Sequence, residues 1–193
     1  MAGEVGIYVT SPTQGELRQG EIISDLVQVR LAIETVDGSS IPRVNSVIHP
    51  YAIIVSQDCD LLQDYRARNS GDVKPDKLLP NILFCEVTTA EELCLGRAGM
   101  GSREQKLFAK NKVERYHFLQ KVPPEADALQ QGLPELGIDF KRFFTVPTDE
   151  VYKRLTLNAK RRCLMNSPYL EHLSDRFSYF QQRIALPEDH QSE

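Results

Sequence analysis

The residues able to do chemistry in this chain are few. Ser56-Gln57-Asp58-Cys59-Asp60 crowds polar groups directly behind the apolar run Tyr51-Ala52-Ile53-Ile54-Val55. Strand ends on a rigid scaffold are where functional groups are presented. If the extended backbone continues past Val55, Asp58 and Asp60 project to one side and Cys59 to the other. Two carboxylates on one side could bind a hard cation or raise one another's pKa; the competing reading is that they cap the loop that follows. Cys59 could act as a nucleophile with His49 or His117 as its base. The flanking carboxylates disfavour the thiolate, and a small packing cysteine is the alternative. His49 precedes Pro50, and His117 lies between Tyr116 and Phe118. Each reads as a strand residue that either transfers a proton or makes a structural hydrogen bond. Arg115 and Arg142 stand beside aromatics, where guanidinium groups suit phosphate and base stacking, or ordinary cation–π packing and ion pairs. His172 and His190 are assigned no role.

The elements that must position these groups read as an α+β fold, a small, strongly bent β-structure closed by a C-terminal amphipathic helix. Glu21-Ile22-Ile23 and the alternating stretch Leu26 to Glu34 read as strands, the second with one buried and one wet face. Asp37-Gly38-Ser39-Ser40 reads as a turn. Tyr51 to Val55 and Ile82 to Val87 are continuous apolar runs, as expected of strands buried on both faces. Thr89-Ala90-Glu91-Glu92 fits a helix-capping pattern. A charged helix follows over 103–112, then strands over 115–119 and 139–146 and a short helix capped by Thr148. The final helix is the clearest. Ser167 suits its N-cap and Pro168 its first position, with Leu170, Leu173, Phe177, Phe180 and Ile184 on one stripe until Pro187 ends it. The chain reads as a single domain over 1–193: an arm over 1–19, a core over 20–147 with inserted loops over 64–80 and 121–137, helices over 148–186, and a tail over 187–193.

Composition narrows the function classes. The chain has 193 residues, 41% hydrophobic and 26% charged, with net charge -4. Broad binding to duplex nucleic acid would call for a basic surface. The local basic stretches, Arg103 to Arg115 and Lys153 to Arg162, read as solvated helix faces or local contacts. None of the four cysteines forms a CxxC pair, which disfavours zinc and thioredoxin-like sites, and no metal or cofactor is expected. The first ten residues carry no leader pattern and no run is long enough to span a membrane, so the expectation is a cytoplasmic protein with reduced thiols.

Three motifs together resemble the MazF/PemK group of toxin endoribonucleases. They are Arg18-Gln19-Gly20-Glu21-Ile22, His49-Pro50-Tyr51-Ala52-Ile53-Ile54-Val55-Ser56-Gln57-Asp58 and Leu83-Phe84-Cys85-Glu86-Val87-Thr88, with Phe144-Thr145-Val146-Pro147-Thr148 and the last helix matching more loosely. The resemblance covers about half the chain. It implies an SH3-like antiparallel β-barrel with inserted helices and loops, pairing of two copies, a toxin–antitoxin setting with an inhibitor protein, and metal-independent cleavage of single-stranded RNA. Thr88 takes the family's threonine position, and His49 stands where the family has an arginine. The resulting candidate set is His49, Asp58, Cys59, Asp60, Thr88 and His117 for catalysis, with Gln57, Arg115 and Arg142 for substrate. The alternatives are a non-catalytic protein-interaction module on the same scaffold, and a cysteine or metal-dependent hydrolase centred on Asp58-Cys59-Asp60.

Overall fold

A computed structural model describes residues 6–36, 39–70 and 74–182. The strands are β1 (Tyr8–Thr10), β2 (Glu21–Val36), β3 (Ser39–Ile54), β4 (Asn81–Thr89), β5 (Tyr116–Leu119), β6 (Leu136–Pro147) and β7 (Lys160–Met165). The α-helices are α1 (Asp58–Asn69), α2 (Ser102–Phe108), α3 (Thr148–Leu157) and α4 (Tyr169–Gln181). All seven strands form one antiparallel sheet in the order β1-β7-β2-β3-β4-β6-β5. The fold is therefore α+β, as the sequence implies. The sheet is not closed into a barrel: β1 and β5 stay as its two edges. They approach through side chains instead. The Tyr8 hydroxyl donates to the Gln120 carbonyl at 2.9 Å and the Thr10 hydroxyl to the Glu125 carbonyl at 3.1 Å.

The centre of the sheet is buried on both faces, which is why Tyr51 to Val55 and Ile82 to Val87 are continuous apolar runs. Ile22, Ile53, Cys85 and Ile138 face a core that α4 covers with Leu173 and Phe180. Ile23, Ala52, Ile54 and Phe84 face a second core against Leu61 of α1 and Val151 of α3. A third, smaller cluster joins Leu93 and Cys94 to Phe108 of α2. Gly20 sits at φ +75°, and a Cβ there would come within 2.6 Å of Leu170, so glycine lets α4 seat on the sheet. Helix α4 follows its expected stripe, but its N-cap is Pro168 rather than Ser167. Ile184, Pro187 and His190 lie outside the described residues, as do Asp37 and Gly38 of the predicted turn.

Several expectations change. The arm contains β1, which pairs with β7, and it buries Leu17 completely. The basic stretch at 160–162 is not a solvated helix face; it is strand β7, and its arginines turn inward. A bulge opposite Ile22 and Ile23 makes Arg162 the extra residue, so Arg161 and Arg162 reach different carboxylates. Arg161 meets Glu21 at 2.5 Å and also donates to the carbonyls of Gly15 and Glu16. Arg162 makes two bonds to Asp127, at 2.8 and 2.7 Å. Both carboxylates are fully buried. Asp127 also accepts the N–H groups of Leu129 and Gln131, so part of the predicted loop over 121–137 is held in place. Similarly, residues 64–69 of the other predicted loop belong to α1. There the buried Asp64 accepts from Arg68 and from the N–H of Leu79.

The hairpin β2–β3 is much longer than the sheet around it, at 16 residues a strand. Only residues 21–24 of β2 pair with β7, and only residues 51–54 of β3 pair with β4. Beyond them the two strands continue together as a two-stranded ribbon.

Breaking a buried pair by removing one partner costs about 3–5 kcal/mol, because the other charge is left unpaired away from water. Asp127→Ala is expected to lose stability on that scale in urea denaturation. An unchanged midpoint would show that the Arg162 pair does not hold the 121–137 segment.

Candidate functional site

The polar turn behind the central strand is the start of a helix, not a continued strand. Gln57 keeps extended angles and caps α1, whose first residue is Asp58. Carboxylates in a first turn are favoured by the partial positive charge of the helix N-terminus, which explains why Asp58 and Asp60 stand there. Helical geometry also sends Asp58 and Asp60 to different sides, so they do not form a pair. Asp58 accepts the N–H of Gln19 at 2.7 Å and pairs with Arg18 at 2.7 Å. Partial burial raises its pKa, but the Arg18 guanidinium and the Gln19 N–H outweigh this and hold it below the usual value. The Arg18-Gln19-Gly20 motif is thereby fastened to the end of β3, with the Gly20 N–H donating to the Ile54 carbonyl at 2.8 Å.

Gln57 and Asp60 line a cleft of about 430 Å³ between this turn and α4, together with Gln19, Ser56, Phe177 and Gln181. Amides, a hydroxyl and one carboxylate over an apolar floor suit binding of a polar group. They supply no nucleophile with an adjacent base. Cys59 is exposed on α1, with its thiol 3.7 Å from an Asp60 oxygen. Among the described residues no group of three or more His, Cys, Asp or Glu could hold a metal ion.

The other candidates lie elsewhere. Thr88 pairs with Gly137 near the far end of β4, whereas the Ser56 turn is bonded to Leu83. Five strand residues separate the two levels, roughly 16 Å. Thr88 is buried and its hydroxyl donates to Glu92. His49 is buried flat against Phe144, ring centroids 3.9 Å apart, with Nε2 3.3 Å from the Gln28 amide oxygen. Its burial disfavours the charged imidazolium and lowers its pKa. Arg115 grips Asp139 with two bonds, at 2.8 and 2.6 Å, and lies 4.9 Å from the Tyr116 ring centroid. Arg142 is shared between Glu86 at 3.4 Å and Asp139 at 3.7 Å. Both arginines thus hold internal carboxylates.

His117 makes one grouping that the sequence did not signal. It is buried in β5, its Nδ1 has no hydrogen-bond partner, and its ring centroid is 5.3 Å from that of the exposed His172 on α4. Both line a cavity of about 240 Å³ with Tyr8, Lys110 and Tyr169. His172 escaped notice because it lies beside the helix stripe, and only the docking of α4 on β5 brings it to His117. Burial, then the nearby Arg176 and His172 charges, push the His117 pKa down to about 3. That is too low for proton transfer near neutrality.

The remaining feature is the ribbon. Alternation places Val27, Val29, Leu31 and Ile33 on one face, directly opposite Ile48, Ser46, Val44 and Pro42. The alternation of β2 implies one buried and one wet face, yet the apolar face is not covered. Leu31 is 75% exposed, Ile33 76%, Val44 67% and Ile48 65%. The opposite face begins with the buried Leu26 and His49 and continues outward through Gln28 and Arg30. Gln28 reaches the Thr145 carbonyl at 3.3 Å, so the polar face turns toward the body and the apolar face away from it.

His117 binds a proton readily only when unfolded, where a histidine pKa is near 6.5. Its neutral form therefore contributes stability that is complete above that pH and lost as pH falls toward about 3. His117→Gln should flatten the decline in urea midpoint between pH 7 and pH 4.5; an undiminished slope would contradict the assignment. No helix among the described residues is long and apolar enough to cross a membrane. Comparison of the chain with protein-family models, curated proteins and solved structures returns no match.

Proposed function

We propose that this protein is a non-catalytic interaction module that engages a protein partner through the apolar face of the β2–β3 ribbon. One observation carries the reading. Val29, Leu31, Ile33, Val44 and Ile48 share a face and are all exposed. An isolated two-stranded ribbon is marginal in water, and a contiguous apolar patch of this kind marks an interaction site. Side chains assigned to catalysis or to substrate point the same way by their partners. Arg115 and Arg142 are held by carboxylates, His49 lies against Phe144, and Thr88 is bonded to Glu92. None of these is arranged to grip a scissile phosphate.

The approach of β1 toward the 120–125 segment supports an SH3-like, barrel-like curvature, and with it the MazF/PemK likeness as a likeness of scaffold. In that setting the partner is a protein of the cytoplasm, either an inhibitor or a second copy of this chain. A metal-independent endoribonuclease acting on single-stranded RNA is the second reading, favoured by the exposed His172 at the small cavity it lines with Lys110 and Tyr169.

The two readings part in one experiment. The module reading expects single-stranded RNA to stay intact after long incubation without metal. It also expects the double variant Leu31→Asp, Val44→Asp, folded by circular dichroism, to lose the complex that the wild type forms. RNA cleavage abolished by His117→Ala or His172→Ala would replace this reading with the second.

A further inference from the structure

We propose that the occupant of the ribbon face is a second copy of this chain, the two ribbons stacking apolar face to apolar face about a twofold axis. This rests on the interaction-module reading and names its partner. Three observations carry it.

The first is polarity. The strip Val27, Val29, Leu31, Ile33, Pro42, Val44, Ile48 holds no charge, and Ser46 is its one polar side chain. Arg30 and Arg43 fall on the opposite face, across from Asn45 and Ala32 respectively. Stacking two copies therefore brings no like charges together. A nucleic acid, or a strongly charged protein, would need ions on the contact face itself.

The second is orientation. The ribbon's polar face is the one that turns toward the body, through Gln28 and Thr145. The apolar face points outward, where an identical ribbon can reach it. Two sheets pack about 10 Å apart with interdigitating side chains, and the same outward patch is present on each copy, as an isologous interface requires.

The third is area. At the recorded exposures, five side chains leave on the order of 500 Å² of apolar surface per copy, at the upper end of what a monomer keeps open. Stacking two such faces removes about 1,000 Å², close to the lower limit of about 1,200 Å² for a specific complex, and Val27 and Pro42 extend the strip. That size suits a reversible dimer with a Kd in the micromolar range.

The test is sedimentation of the purified full chain between about 1 and 100 µM, a range that brackets such a constant. The wild type is expected to pass from one chain to two. Leu31→Asp and Val44→Asp, one on each strand and both at exposed positions, should each weaken association roughly a hundredfold by burying an unpaired charge in the contact, and so shift the transition to the top of this range or beyond with unchanged circular dichroism. Arg30→Gln, on the opposite face, should dimerise as the wild type does. A wild type that stays monomeric throughout, or a dimer indifferent to both aspartates, overturns the proposal. If that monomer still forms a partner complex that the same substitutions abolish, the second-copy proposal falls and the module reading stands. A monomer whose complex ignores them overturns both.

Discussion

Arg161 and Arg162 are consecutive on β7, and each meets a carboxylate away from water. That requirement organises much of the molecule. Glu21 is fully buried, so Arg161 must lie on it, and in doing so it also takes up the Gly15 and Glu16 carbonyls of the arm. Asp127 is equally buried, so Arg162 must reach across to the segment between β5 and β6. The bulge at Arg162 allows both at once. Arm, central hairpin, β7 and the 121–137 segment are thereby clamped together, and the edge strands are brought within reach of each other. Buried pairs of this kind are weak evidence for net stability but strongly resist loss of one partner.

The same economy of charge bears on function. Several arginines that could attract a polyanion are paired with the chain's own carboxylates: Arg18 with Asp58, Arg68 with Asp64, Arg97 with Glu86, Arg115 with Asp139. With a net charge of -4, nothing offsets this from a distance. What the surface does offer is apolar. The ribbon extends well past the strands that flank it, and its outward face carries branched aliphatic side chains where a solvent-facing strand would carry polar ones. These guanidinium groups are thus held by the chain's own carboxylates, while aliphatic side chains of the ribbon stay open to solvent.

The elements legible in sequence are those whose pattern is set by burial alone. Tyr51 to Val55 and Ile82 to Val87 are apolar throughout because they are covered on both faces. The α4 stripe is regular because it docks on one. The elements that escaped are governed by partners far away in the chain. Lys160-Arg161-Arg162 reads as a surface run until Glu21 and Asp127 supply the buried countercharges. Ser56-Gln57-Asp58-Cys59-Asp60 reads as a strand end because polar residues follow an apolar run. The same acidic residues equally suit a helix N-terminus, and Arg18 and Gln19 secure that choice. The candidate site dispersed for a related reason. His49 and Thr88 lie on neighbouring strands, but register and face place one against Phe144 and the other against Glu92. His172 needed the packing of α4 on β5 to meet His117. Alternation along β2 marks it as amphipathic and implies a buried apolar face, but sequence does not say which side is covered, and here the apolar side is open.

Whether association closes that open face decides how the ribbon is used. Hydrogen–deuterium exchange of the purified chain at low and high concentration reads this directly at the ribbon amides over 27–33 and 43–48. Protection there should rise with concentration while the amides of β4 and β6 stay unchanged. Ribbon amides that exchange at the same rate at every concentration would contradict it.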